Sequence, residues 1–474
     1  MNHFDSLSLG SRREFLRRVG MGLGGVAMAS LLQQELRGTE IKVDPLRPLA
    51  ARKPPLPCKA KRVIHIFANG GASQVDTFDR KVALDKYHGK TLPGDYIATE
   101  RKTGAAYRSP FTWKRYGKSG LEVSELFDKT AQHADDLCVI RSMKADVSNH
   151  EPSLLLMNCG EARQVRPSMG SWVTYGLGTE NENLPGFITI APTAGNGGAR
   201  NYGPAFLPPR FQGTPLGRAG GPPKEATFRD LQSDSDGERV ANLLSQLHEE
   251  QRSRHPGDAA LDAVIRSYET AARMQLTAPG VIDLSRESAK TLAQYGVGSG
   301  PTDSFGRQCL LARRFLESGV RFVQVTYGDG SANPAWDQHS NLTKHADHAR
   351  AVDQPVAALL ADLKQRGLLE DTLVWFGSEF GRTPYAERNG TGRDHNPTGF
   401  TVWLAGAGVK PGFAHGATDE FGHHAVEGRV HMHDLHATIL HLLGVNHEKL
   451  TFRHAGRDFR LTDVHGHVAR EILA

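Results

Sequence analysis

Cysteine is scarce. The 474 residues hold four, Cys58, Cys138, Cys159 and Cys309, with no Cys-x-x-Cys pair, so the spacing supports neither a zinc knuckle nor a disulfide framework. Long apolar runs are missing beyond the first forty residues, and a membrane-spanning helix needs about 20 predominantly apolar positions, so the body of the chain is expected to be soluble and tethered at most through its N-terminus. Charge of one sign is not concentrated either. Lys plus Arg number 57 against 52 Asp plus Glu, a formal +5, without a basic run or stripe that could follow a phosphate backbone, which argues against a nucleic-acid partner. No internal repeat at a fixed period is visible. What the chain does have is histidine: 22 residues, crowding toward the C-terminal half. Histidine is the commonest metal ligand, although a single one is usually solvated. The length suits one large α/β domain with insertions or two domains of ordinary size.

The first forty residues read as an export signal rather than fold. "SRREFLRRVGMGLGGVAMASLL" places Arg12 and Arg13 before Phe15 and Leu16, then a Gly/Ala-rich, weakly apolar run and an Ala27-Met28-Ala29 cleavage pattern. That order resembles a twin-arginine signal, whose route carries folded proteins to the periplasm. Residues 41–60, with "LRPLAARKPPLPCKAK", are expected to be a Pro-rich linker, and 61–474 the domain.

Within the domain, strand-like runs recur at "RVIHIFANGG", "LCVIRSM", "FITIAPT", "VRFVQVTYGDG", "TLVWFGSE" and "TVWLAGAGV", with helical periodicity clearest in "HADHARAVDQPVAALLADLKQRG" and "HDLHATILHLLG". Strands alternating with helices imply a largely parallel sheet covered on both faces, with ligands beyond the carboxyl ends of its strands. Residues 194–224, dense in Gly and Pro, are expected to be a surface excursion, and 226–296 a charged helical insertion.

Polar residues stand just after those strands. Asp76 and Asp79 follow the first; Asp337 and His339 lie in "WDQHSN"; Glu379 follows "TLVWFGS"; Asp394 and His395 precede the last. Carboxylate and imidazole together suit a divalent ion, Zn or Mn in preference to Ca or Mg. Arg382 in "GSEFGRTP" is placed either to hold a sulfate or phosphate oxygen or to pair with a neighbouring acid. His345 is a candidate partner behind a ligand, whereas His431, His433 and His436 read as structural.

The motifs "KRVIHIFANGGASQVDTFDRK", "RSMKADVSNHEPS", "RPSMGSWVTYGLG", "GSEFGRTP", "GRDHNPTGFTVWLAGAGVKPGFAHGATDE" and "HMHDLHATILHLLG" together resemble the exported, sulfatase-like domain-of-unknown-function 1501 family, within the alkaline phosphatase-like superfamily. The resemblance implies a three-layer αβα sandwich with a largely parallel central sheet, and a metal held by Asp76, Asp337, His339, Glu379, His395 and, as a substitute for one missing ligand, Asp394. That missing ligand is the histidine of the sulfatase "SDHG" strand end, where Phe380 stands. His150 falls where sulfatases carry the modified cysteine, so no formylglycine nucleophile can form there; His150 is a metal ligand or itself a nucleophile, with Ser153 or Ser148 as alternatives. The implied activity is metal-dependent hydrolysis of an anionic ester, a sulfated or phosphorylated glycan among the candidates. The rival reading is a non-catalytic metal- or anion-binding protein on the same scaffold. Oligomeric state is left open.

Overall fold

The computed structural model describes residues 43–44, 47–94, 99, 101–219, 221, 237–255, 261, 265, 273, 277–328, 334–388 and 390–474. The expected signal segment with Arg12 and Arg13 lies outside these residues. Val43–Ala474 form one compact unit, so the two-domain alternative does not apply. Among the described residues no helix is long and apolar enough to cross a membrane.

The strands that matter for the site are, in chain order, β1 (Arg62–Ala68), β2 (Thr103–Ala106), β3 (Leu137–Lys144), β4 (Phe187–Ile190), β5 (Thr214–Leu216), β6 (Phe322–Tyr327), β7 (Thr372–Gly377), β8 (Gly381–Glu387), β9 (Arg393–Asn396), β10 (Phe400–Ala405), β11 (Phe413–His415) and β12 (Val430–His431). One nine-stranded sheet runs β11-β3-β10-β7-β1-β6-β4-β5, with β12 also paired to β3. Only β10 runs against the rest, antiparallel to both β3 and β7. A parallel sheet buried on both faces needs largely apolar strands; β6 and β7 are wholly buried, β7 as a nearly continuous apolar run and β6 with Gln324 inside it.

The helices are α1 (His150–Cys159), α2 (Met169–Leu177), α3 (Gly237–Arg254), α4 (Asp303–Glu317), α5 (Lys344–Gln365) and α6 (Met432–Leu442). Successive side chains of a strand alternate between faces. Ile64, Ile66 and Ala68 of β1 enter a core with Phe315 of α4 and Leu359 and Leu363 of α5. His65 points to the opposite face and stacks on Trp375 with ring centroids 3.6 Å apart. Its register partner Gln324 donates from Nε2 to Asn158 Oδ1 of α1 at 2.9 Å. Helices on both faces make the three-layer αβα sandwich that the resemblance implies.

α1 carries His150 at its first position, and its other end is pinned. His436 Nε2 donates to Met157 O at 2.7 Å and His433 Nε2 to Gly160 O at 2.9 Å, so two α6 imidazoles satisfy carbonyls that a helix C-terminus leaves without partners. Gly160 ends α1 at φ +68°, and a Cβ there would lie 2.0 Å from Leu461 O. These histidines are structural, as the sequence suggests.

Two segments differ from expectation. The supposed linker is part of the body from Leu49 onward: Thr179 N donates to Leu49 O, and Arg52 donates from Nε to Gly176 O and from Nη2 to Thr174 O, closing the end of α2. A Pro-rich composition does not reveal that carbonyls elsewhere are waiting for these donors. The Gly/Pro-rich excursion buries Leu207 and Phe211 and supplies β5, an edge strand that tolerates Pro215 because one side of it carries no ladder. Of the expected helical insertion the described part includes α3, whose Leu243 and Leu247 are exposed.

Candidate metal centre

The carboxyl ends of β1, β6 and β7 lie side by side, because β1 pairs in parallel with both of the others. The loop "WDQHSN" passes directly over the end of β1: Trp336 N donates to Asn69 O at 3.0 Å, and the Trp336 side chain is fully buried. That approach requires glycine. Gly70 has φ +116°, and a Cβ there would lie 2.7 Å from Asp337 N and 2.9 Å from Trp336 N. The β8–β9 hairpin, joined by β2, brings His395 in from the side.

Three imidazoles converge on one carboxylate. Asp337 Oδ1 lies 2.9 Å from His339 Nε2 and 3.2 Å from His395 Nε2, while Asp337 Oδ2 lies 3.3 Å from His150 Nε2. The two nitrogens His339 Nε2 and His395 Nε2 face each other at 3.0 Å. Every ring is held from behind through Nδ1: His150 by Glu379 Oε1 at 2.7 Å, His395 by the Ser148 carbonyl at 2.6 Å, and His339 by Glu387 Oε1. A carbonyl or carboxylate can only accept, so each Nδ1 carries a proton and each ring turns its Nε2 inward. Two unprotonated Nε2 atoms 3.0 Å apart would repel, so either a proton or a metal cation joins His339 to His395.

Burial by itself depresses the His150 pKa, but its bonds to Asp337 and Glu379 outweigh this and raise it to about 9, so without an ion His150 holds a second proton toward Asp337 that a metal would have to displace. Burial and the Arg382 guanidinium lower the His395 pKa, keeping it a neutral ligand. Asp337 is held far below the usual carboxylate range: burial opposes its charge, but the His150, His339 and His395 bonds prevail. Imidazole nitrogens beside a carboxylate oxygen are donors that a divalent ion can take. His150 with Asp337 and His395, and His339 with Asp394 and His395, each form a group compact enough to hold an ion.

The remaining sequence candidates take other positions. Asp76 is apart from the cluster: Arg393 donates to it from Nε at 2.8 Å and from Nη2 at 3.3 Å, Ser73 hydroxyl donates to Oδ2, and Asp76 and Arg393 side chains are fully buried. Its carboxylate is taken up by this buried ion pair. Glu379 is behind His150, with Gly70 N donating to both of its oxygens at 3.1 Å and Ser378 hydroxyl to Oε2 at 2.9 Å. Asp394 is close to His339, but at 3.9 Å it faces Nδ1, the outward nitrogen, and its oxygens accept from His395 N and Arg101 N. Arg382 is fully buried and donates to Gly71 O, Arg393 O, Gly70 O and Asp337 Oδ1, so it orients Asp337 and cannot meet an incoming anion. His345 Nε2 accepts from Ser73 N at 3.2 Å and backs no ligand. Asp79 pairs with Lys81 at 3.0 Å.

Glu387 and the Ser148 carbonyl escaped sequence reading. The Asn389-Gly390 pair is a hairpin signal that could have placed Glu387 opposite the His395 strand. A backbone carbonyl has no sequence signature at all.

A family model described as "Protein of unknown function (DUF1501)" matches residues 60–473. No curated protein matches the chain. Among solved structures, it is similar to the PsFucS1 sulfatase from Pseudoalteromonas sp. at 13% identity and TM-score 0.37, covering 95% of this chain and 75% of that one. It is also similar to a phosphonate monoester hydrolase of Agrobacterium radiobacter at 12% identity and TM-score 0.34, covering 81% and 74%. A third likeness is to a mutant of TAB5 alkaline phosphatase with Mg bound, at 11% identity and TM-score 0.31, covering 74% and 92%.

Proposed function

The chain belongs to the DUF1501 family, and from that premise we propose a metal-dependent hydrolase of sulfate or phosphate esters, exported in the folded state and acting without a formylglycine. The observation that carries the reading is the convergence of three imidazole Nε2 atoms on Asp337 at the carboxyl end of a parallel sheet. A divalent ion in such a set polarises an ester oxygen and makes water a stronger nucleophile.

The chain's own residues supply the rest. His339 and His395 are buried, whereas the His150 and Asp337 side chains keep 13% and 11% of their surface in solvent, so a substrate approaches from that side. Phe380 packs against the His150 and His395 rings at 5.0 and 4.4 Å and keeps water off that flank. Beside the open side is the N-terminus of α1, where the helix dipole favours an anionic ester. A covalent enzyme intermediate is not favoured. Both His150 nitrogens are engaged, and Ser153 hydroxyl donates to Val147 O at 2.7 Å. Water is therefore the attacking group in this reading, and an anionic ester such as a sulfated or phosphorylated glycan the substrate.

The same engagement of His150 and Ser153 favours the second reading, a metal- or anion-binding protein without turnover. Elemental analysis of the purified protein, with aryl sulfate, phosphate and phosphonate esters assayed before and after chelation, separates the two. Bound metal with chelator-sensitive hydrolysis supports the hydrolase. Bound metal with no hydrolysis leaves the binding protein, and absence of metal refutes the metal-dependent hydrolase and leaves only an anion-binding protein.

A further inference from the structure

We infer that Glu387, at the end of β8, is a positioning residue for the metal centre, acting through His339; the inference rests on the metal reading above. Its carboxylate accepts from His339 Nδ1 through Oε1 and pairs through Oε2 with Arg101 Nη1 at 3.3 Å. A carboxylate behind a ligating imidazole fixes the tautomer and ring plane and makes the far nitrogen a stronger donor.

The hairpin is built to keep that contact in register. Glu387 N donates to Gly392 O at 3.0 Å, Arg393 N to Gln338 O at 3.1 Å and Thr391 N to Ser340 O at 3.2 Å, so the hairpin grips the residues on both sides of His339 by their backbone. Gly392 permits the approach, since a Cβ there would lie 2.0 Å from His339 O. Backbone contacts place the ring, and Glu387 sets its electron density.

The three imidazoles are thereby unequal. His150 and His339 rest on carboxylates, His395 on a neutral carbonyl. Glu379 has its charge shared among Gly70 N, Ser378 and His150 and is fully buried, whereas Glu387 keeps 10% of its side chain in solvent beside the half-exposed Arg101. Glu387 is thus the support that can be altered with least effect on the fold.

Glu387→Gln tests this on the full chain. The amide oxygen still accepts from Nδ1, but the charge is gone. Co(II) and Zn(II) affinity measured by chelator competition should fall about 10- to 100-fold, and the Co(II) d–d absorption bands should shift. Thermal stability of the metal-free variant should stay near that of the wild type, and Glu387→Asp should recover part of the affinity. A Glu387→Gln protein with wild-type affinity and an unchanged Co(II) spectrum overturns the inference and leaves the metal reading intact. A wild type that takes up neither ion overturns the metal reading and the inference with it. If Glu387→Gln does not fold, Glu387→Asp decides: wild-type affinity and spectrum in that variant overturn the inference, and a weaker, shifted centre supports it.

Discussion

Replacing Asp76 by alanine distinguishes a ligand from a structural ion. The Asp76 carboxylate faces Arg393 at 2.8 and 3.3 Å with both side chains fully buried, so its removal leaves a guanidinium charge without its counter-ion. Breaking a buried pair from one side costs about 3–5 kcal/mol. The double variant Asp76→Leu with Arg393→Met removes both charges, but it also strips the Arg393 donors from Thr383 O and Tyr107 O, and each unsatisfied carbonyl costs about 1–3 kcal/mol. The double variant should therefore be destabilised by clearly less than the two single changes added together. Urea denaturation gives the stabilities, and elemental analysis of the folded fraction gives the metal content, which should equal that of the wild type in every variant. An Asp76→Ala protein that loses its metal while unfolding within about 1 kcal/mol of the wild type refutes the argument and makes Asp76 a ligand.

Gly70→Ala should force the Asp337 loop off the end of β1, since the new Cβ would lie 2.7 Å from Asp337 N at φ +116°; metal affinity should fall, with about 1–3 kcal/mol of strain visible in thermal melts. His436 is fully buried, and burial followed by the nearby His433 lowers its pKa from the ordinary 6.5 to about 3. Between those values the unfolded chain binds a proton that the folded chain refuses, so stability is retained above pH 6.5 and lost as pH falls, by about 1.4 kcal/mol per unit for this group. His436→Gln should flatten the dependence of the urea midpoint on pH between 6.5 and 4; an unchanged slope would show that His436 is not the group responsible. Replacing Arg12 and Arg13 by lysine should leave precursor in the cytoplasm, as seen by fractionation and immunoblot, and undiminished periplasmic delivery would reject the twin-arginine proposal.

The sheet was largely legible because its strands are short apolar runs bounded by glycine or a polar loop, as "TLVWFGSE" is. Asp337 and His339 stand out for the same reason: a polar residue past a buried strand has few places to go but the strand-end crevice, whereas His395 lies within β9 and enters from the side. Sequence does not encode which side of an imidazole a carboxylate will occupy. Glu379 and Asp394 are both beside the centre, yet each meets Nδ1 or backbone amides rather than the inward Nε2. Nor does it announce that Arg393, 317 positions away, neutralises Asp76. The β8–β9 hairpin carries no strand signal in the sequence because its buried positions are polar or charged, Arg382, Thr383, Arg393 and Asp394 among them, which masks the alternation that marks a strand.

The central place of β1 imposes an order on biosynthesis. It is the first of the described strands, yet its two neighbours are β6 and β7, and the Gly70 amide waits for Glu379, 309 residues downstream. Even β6 begins at Phe322, so at about 5–20 residues per second β1 has no native edge to pair with for roughly 13–50 s. Such non-local pairing folds slowly and leaves the nascent chain open to aggregation. The proposed ion site inherits the delay, since His395 lies beyond even β7: on that reading no ion can be held before the last strands close.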